Sequence, residues 1–184
     1  MSKVYTTAVV IIPPKDSWPP IQEIRKQYDR QIRRWMPHIT LIYPFKSEQE
    51  FDDLEKKFWE FCKEIHSFEI TLKNFNYFTH RNQNFTIWLT PEPKDALIIL
   101  QKKIQLIVPD CDEQNQYRSG FTPHLSVGQI RGKNNLINTL KNLEKNWKQQ
   151  TFLLEEIYFI ARDKDKNSSF QERKVIKLSS NKLV

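Results

Sequence analysis

The sequence predicts an α+β fold made of two similar halves, and two observations carry that expectation. Strand-like and helix-like segments alternate in nearly the same order twice along 184 residues. One short phrase also recurs, Pro37-His38-Ile39-Thr40-Leu41 and then Pro123-His124-Leu125-Ser126-Val127. Each copy reads Pro-His-aliphatic-hydroxyl-aliphatic. On an extended strand, side chains alternate between faces, so His38 shares a face with Thr40 and His124 with Ser126. The aliphatic residues between them turn the other way, into a core.

The elements follow in order. Val4–Ile12 is a nearly continuous β-branched run closed by Pro13-Pro14, which suits a strand buried on both faces. A helix is expected from Pro20 to Trp35, with Ile21, Ile24, Tyr28, Ile32 and Trp35 on one stripe and the basic residues outside it. The first motif strand runs from Pro37 to Tyr43. Ser47 and Glu50 form a capping-box pattern before a helix with Phe51, Leu54, Phe58, Phe61 and Ile65 inward. Phe68-Ile70-Leu72 and Phe85-Ile87-Leu89 flank the polar turn 81–84 and read as an antiparallel hairpin.

The second half repeats the theme. A helix over Lys94–Val108 carries Leu97, Leu100, Ile104 and Ile107, and the polar loop Pro109–Ser119 leads to the second motif strand. Leu136, Leu140, Leu143 and Trp147 mark a further helix. Phe152–Arg162 and Phe170–Leu178 read as a closing pair of strands. The expectation is a single domain over 1–184, with lobes of roughly 1–90 and 91–184 that share a groove and exchange strands.

Composition narrows the function classes. A 39% hydrophobic content can fill one core, and no apolar run is long enough for a membrane helix. The N-terminus passes straight into a strand-like segment, so no signal peptide is expected. Two cysteines make neither a disulfide framework nor a zinc site, and the reducing cytoplasm is the expected compartment. The net charge of +7 favours polyanionic partners. Arg25, Lys26, Arg30, Arg33 and Arg34 crowd ahead of the first motif. All three glycines, Gly120, Gly128 and Gly132, lie within eight residues of His124. They either let a phosphate or sugar approach the main chain or only shape the turns at the ends of one strand.

A pair of histidines can hold one neutral and one protonated imidazole near neutral pH, and so supply a base and an acid together. Hydroxyls one alternation away can donate to the nonbridging oxygens of a phosphate as charge grows on them. Nothing in such a scheme requires a metal, and no cofactor is expected.

The paired His-x-Thr/Ser motifs, their spacing and the duplicated order resemble the two-histidine (2H) phosphoesterase superfamily. The stretch from Ile11-Ile12-Pro13-Pro14 to Arg33-Arg34-Trp35-Met36-Pro37-His38-Ile39-Thr40-Leu41-Ile42-Tyr43-Pro44-Phe45 is similar to its 2'–5' RNA ligase / RNA 2',3'-cyclic phosphodiesterase group. The resemblance implies two pseudo-symmetric lobes, with the motifs on central strands facing each other across a cleft, and metal-independent catalysis. It implies that one of His38 and His124 acts as base and the other as acid, in an order set by the substrate and reaction direction, and that Thr40 and Ser126 hold the phosphate. Ser126 stands where the family most often has threonine.

The expected activity is hydrolysis of a 2',3'-cyclic phosphate on an RNA end or nucleotide, leaving a 2'-phosphate. Hydrolysis or joining of 2'–5' linkages by the same residues, and a non-catalytic RNA-end-binding module, are the alternatives. A two-histidine metal site lacks matching carboxylates or cysteines. Further substrate-binding candidates are Arg118 and Arg131 as phosphate clamps, Arg162, and Tyr43, Phe45, Phe121 and Tyr158 as stacking surfaces. His66 and His80 are expected to be surface residues. A monomer, with RNA or nucleotide as partner and no membrane association, completes the expectation.

Overall fold

The computed structural model describes residues 3–116, 120–165 and 167–180. Its strands are β1 (Lys3–Val4), β2 (Thr7–Ile11), β3 (Ile39–Ile42), β4 (Phe45–Lys46), β5 (Phe68–His80), β6 (Asn84–Glu92), β7 (Leu125–Arg131), β8 (Gln150–Leu154), β9 (Glu156–Ala161) and β10 (Gln171–Lys177). The helices are α1 (Trp18–Tyr28), α2 (Phe51–Cys62), α3 (Lys94–Gln105) and α4 (Lys133–Asn146). The fold is α+β, with two four-stranded antiparallel sheets in the orders β10-β9-β2-β3 and β7-β6-β5-β8.

Each sheet takes strands from both sides of the expected boundary near residue 90, which itself falls inside β6. The reason is visible at Glu155. The inward residues Phe152 and Leu154 are followed by Ile157 and Phe159, so the alternation slips by one residue. What reads as one strand is therefore two, β8 pairing with β5 and β9 with β2 and β10. The motif strands β3 and β7 are edge strands rather than central ones, and these two edges lie against each other where the sheets meet.

The central strand β2 is buried along its whole length. Val9 and Ile11 face the large core with Phe45, Phe51, Phe58 and Phe159, whereas Ala8 and Val10 face a smaller cluster with Ile160 and Phe170. Helix α2 covers β10 through Phe51, Leu54, Phe58 and Cys62, the last standing where Phe61 was expected. The Ser47 hydroxyl accepts from the Gln49 amide (3.4 Å) rather than from Glu50, because a short 3-10 turn precedes the helix.

Helix α1 stops at Tyr28, seven residues before its apolar stripe does. Asp29 leaves the helical conformation (φ −98°, ψ 106°), and its Oδ1 accepts the Gln31 amide at 2.9 Å. Aspartate offers the backbone such local alternatives to the helix. Its Oδ2 accepts from Arg25 Nε at 2.8 Å, and both residues are buried. Arg25 was expected on the solvent face. It instead also donates to Gln22 Oε1 and to the carbonyl of Trp35.

This pair pins α1 to β7, because Gln129 Nε2 donates to Asp29 Oδ1 (3.1 Å) and Gln129 Oε1 accepts the Arg30 amide (3.0 Å). One residue earlier, a Cβ on Gly128 would lie 2.3 Å from Tyr28 Cβ. Gly128 is thus a packing glycine. Gly132 takes φ +90° as the N-cap of α4, and Gly120 takes φ +65° beside the cleft described below.

Gly128→Ala forces α1 away from β7. The expected cost is about 1–3 kcal/mol of stability, as for other overpacked sites, which is several degrees of Tm at this chain length. Thermal and urea unfolding measure it, and an unchanged midpoint would contradict the close approach.

Candidate active site

Strand β3 buries Ile39 and Leu41 in the large core and turns Thr40 to the opposite face; β7 does the same with Leu125, Val127 and Ser126. The two histidines stand immediately before these strands and are held identically. His38 Nδ1 donates to the carbonyl of Met36 at 2.7 Å, and His124 Nδ1 donates to that of Thr122 at 2.7 Å. In both copies a proline, Pro37 or Pro123, separates acceptor from donor. Its fixed φ restricts where that carbonyl points. With Nδ1 carrying the hydrogen, the neutral ring presents its lone pair at Nε2. Neither Nε2 has a hydrogen-bond partner among the described residues.

The imidazoles differ in their neighbours. His38 stacks on Trp35 (centroids 4.6 Å apart, 17° between planes), and Trp35 stacks in turn on Phe170 (3.8 Å, 25°). His124 is met edge-on by Phe78 (4.9 Å, 90°) and Trp88 (5.9 Å, 62°). Both rings keep part of their surface open, yet protein surrounds them on the other sides. Burial pushes the His38 pKa down to about 4, and the charges of Arg25 and a protonated His124 push the same way against the Met36 hydrogen bond. Burial also lowers His124, opposed by its bond to Thr122.

The motif residues Thr40, His124 and Ser126 line a cleft of about 460 Å³, together with Trp35, Tyr43 and Phe78. Such a volume suits a nucleotide-sized ligand. His80, Thr86 and Gln114 extend the wall, and no described lining residue is Lys, Arg, Asp or Glu. The wall is uncharged and rich in hydroxyls, and His124 lines it directly, whereas His38 stands behind it, stacked on the lining residue Trp35 and one residue from β3, the strand that carries Thr40. Among the described residues, no three of His, Cys, Asp or Glu gather as a metal-ligand set.

The other predicted residues divide sharply. Tyr43 is in the wall, edge-on to Trp35 (5.5 Å), with its hydroxyl donating to the Tyr5 carbonyl (3.2 Å). Tyr158 lies in a row with Val10 and Thr40 across three strands, about 10 Å from Thr40 at ordinary strand spacing. Its hydroxyl is taken by the Glu156 carboxylate. Arg162 stands behind the wall. Its Nη1 donates to the carbonyls of Asp163 (3.0 Å) and Asp165 (3.2 Å), and its Cζ lies 5.6 Å from the Phe170 ring centroid.

Phe45 and Phe121 do not reach the cleft: both are buried in the large core, where apolar strand faces turn. Arg131 is exposed at the far end of β7, about 17 Å along the strand from Ser126. Arg118 lies outside the described residues.

His80 is exposed, as expected, but it has a hydroxyl partner that its own strand does not supply. Its Nε2 meets Thr86 Oγ1 at 2.9 Å, and both residues line the cleft. The partner comes from the next strand of the hairpin, where Phe78 pairs with Thr86, and not from two residues along the same strand. Trp35 was read as part of a helical core stripe. The early end of α1 frees it to stack on His38. His66 is exposed, away from the cleft.

With this fold and cleft, the comparisons with known proteins agree. The model of the 2'-5' RNA ligase superfamily matches residues 13–166, and the chain belongs to that family of 2H phosphoesterases. A Bacillus licheniformis protein carrying the name phosphoesterase is 29% identical over 122 residues, spanning 66% of this chain and 69% of its own. A similarly named protein of Geobacillus kaustophilus is also 29% identical, over 66% and 67% of the two chains. Among solved structures, TT0787 of Thermus thermophilus superposes with a TM-score of 0.65 at 14% identity, over 96% of this chain and 99% of its own. LigT of E. coli, in complex with 3'-AMP, gives 0.64 at 15% identity, over 95% and 98%.

The lowered histidine pKa values give a direct expectation. In an NMR titration of the ring protons, His38 titrates near 4 and His124 below the usual 6.5. The unfolded chain takes up these protons first. Both rings therefore add stability that is present above about 6.5 and is lost as pH falls from there towards 4. A His38 titrating at or above 6.5 would contradict the geometry.

Proposed function

We propose that this protein opens 2',3'-cyclic phosphates on RNA ends or nucleotides, leaving a 2'-phosphate. The observation that carries the reading is the matched pair: two imidazoles, each fixed through Nδ1 by the carbonyl two residues back, each followed by a hydroxyl on the same strand. LigT, a protein of the same fold, has been solved with 3'-AMP, with phosphate and with ATP, which supports a nucleotide phosphate as the ligand class. The two cysteines, both free and buried, suit a reducing compartment such as the cytoplasm. Among the described residues, no helix is long and apolar enough to cross a membrane.

His38 is the base. Stacking on Trp35 removes water and the Arg25 charge opposes a second positive charge nearby, which keeps its ring neutral down to about pH 4. Its Nε2 takes a proton from water while the water oxygen bonds to phosphorus. The bond from phosphorus to O3' breaks, and His124 protonates O3' through Nε2. A 3'-hydroxyl and a 2'-phosphate remain. The phosphate's own charge lifts the His124 pKa on binding, which favours the protonated acid in the complex. Thr40 and Ser126 donate to the nonbridging oxygens, where charge grows in the transition state.

The test is turnover of a short RNA ending in a 2',3'-cyclic phosphate with chelator present. Wild type opens the ring to a 2'-phosphate. His38→Ala and His124→Ala each lose about 10²–10⁴-fold in kcat, and Thr40→Ala or Ser126→Ala loses about 10²-fold. Full activity in either histidine variant, or no ring opening by wild type, would overturn the reading.

A further inference from the structure

A second cavity of about 450 Å³ shares Trp35 with the cleft and is lined by Lys15, Trp18, Arg33, Arg34, Phe170 and Glu172 among others. Trp35 lines both spaces, so the groove adjoins the cleft. The two cavities differ in charge. The catalytic cleft has no fixed cation in its described wall, whereas the groove has three cations against one carboxylate. Lys15 and Arg33 are exposed. Lys15 Nζ sits 3.5 Å above the Trp18 ring, which an indole hydrogen bond to the Pro13 carbonyl (2.8 Å) holds in place.

The boundary between the cavities is also positively charged. Arg34 lines the groove, yet its charge and that of Arg162 lower the pKa of Tyr43 in the cleft wall, against the larger upward effect of burial. A basic groove tracks the backbone of single-stranded nucleic acid without reading its bases, and here phosphates are what it offers to hold, since Trp35 is stacked between His38 and Phe170 and Lys15 covers a face of Trp18. The strand's geometry fits it. A 2',3'-cyclic phosphate lies at a 3' end, so any further nucleotides run in the 5' direction, out of the cleft, with one phosphate each.

We propose that this groove binds the phosphates of the nucleotides 5' to the reacting end, so that the substrate is an RNA strand and not a free cyclic mononucleotide. The inference rests on the cyclic-phosphate reading for what happens in the cleft, but the groove can be tested by binding alone. A mononucleotide has its only phosphate in a cleft without fixed cations. A strand adds Lys15, Arg33 and Arg34 to its contacts.

The experiment measures binding of a fluorescein-labelled RNA tetranucleotide with a 3'-phosphate by anisotropy, across a salt series, and binding of the mononucleotide 3'-phosphate by competition. The tetranucleotide binds about tenfold or more tightly, with a strong salt dependence. In the Lys15→Gln/Arg33→Gln variant that advantage falls, and the slope of log K against log salt shrinks by about 1.4, the loss of two single-strand phosphate contacts. Equal affinity for the two ligands, or an unchanged slope in the variant, overturns the groove. Absence of cyclic-phosphate turnover with the binding pattern intact would defeat the catalytic reading and leave the groove standing.

Discussion

The carbonyls of Met36 and Thr122 hold the two imidazoles by Nδ1, each across a single proline, and what the cleft can do depends on that pair of hydrogen bonds. They set the tautomer, aim the rings and leave Nε2 for chemistry. Because the same bond is made at both motifs, the two histidines begin as equals. Their surroundings then separate them. Trp35 lies flat on His38 and Arg25 adds an opposing charge, while Phe78 and Trp88 meet His124 in T-shaped pairs. Two similar sites with different neighbours are how one residue type can serve as both base and acid.

Bringing the motifs together is the task of the sheets. β3 and β7 are the facing edges of separate sheets, and no described backbone ladder joins them. Helix α1 supplies much of the attachment. Its end is fixed to β7 by Gln129 and by the bare backbone of Gly128, and its Arg25 reaches the Trp35 carbonyl two residues before Pro37. The buried Arg25–Asp29 pair is thus part of the cleft's architecture and also part of its electrostatics. Removing one partner of a buried pair leaves the other charge uncompensated, and here that charge would sit near His38.

Much of this was legible in the residues. Period-2 alternation put Thr40 and Ser126 on the faces opposite the core, and helical periodicity found all four helices. What escaped the sequence depended on contacts between distant segments or on breaks in phase. Nothing local announces that Arg25 is buried, since Gln129, which completes its network through Asp29, comes from a strand a hundred residues away. The stripe through Ile32 and Trp35 looked helical because the pattern continues past Asp29, whose side chain ends the helix. The one-residue slip at Glu155 was present in the sequence and marked the change of sheet. His80 was set aside because its hydroxyl partner lies across a hairpin. Phe45 and Phe121 were chosen as neighbours of the motifs in sequence, but Phe45 on β4 and Phe121 in the loop before β7 both pack into the core.

The most direct measurement of the central claim is the pH dependence of kcat/KM on an RNA 2',3'-cyclic phosphate. This quantity reports the free enzyme's acid and base. The diester keeps a single negative charge over the range, so the limbs belong to the protein. The account predicts a bell: activity rises as pH climbs through about 4, where His38 becomes neutral, and falls again as His124, its pKa lowered from the usual 6.5 by burial, loses its proton. A profile with one limb, or one rising steadily through pH 7, would contradict a two-histidine acid and base.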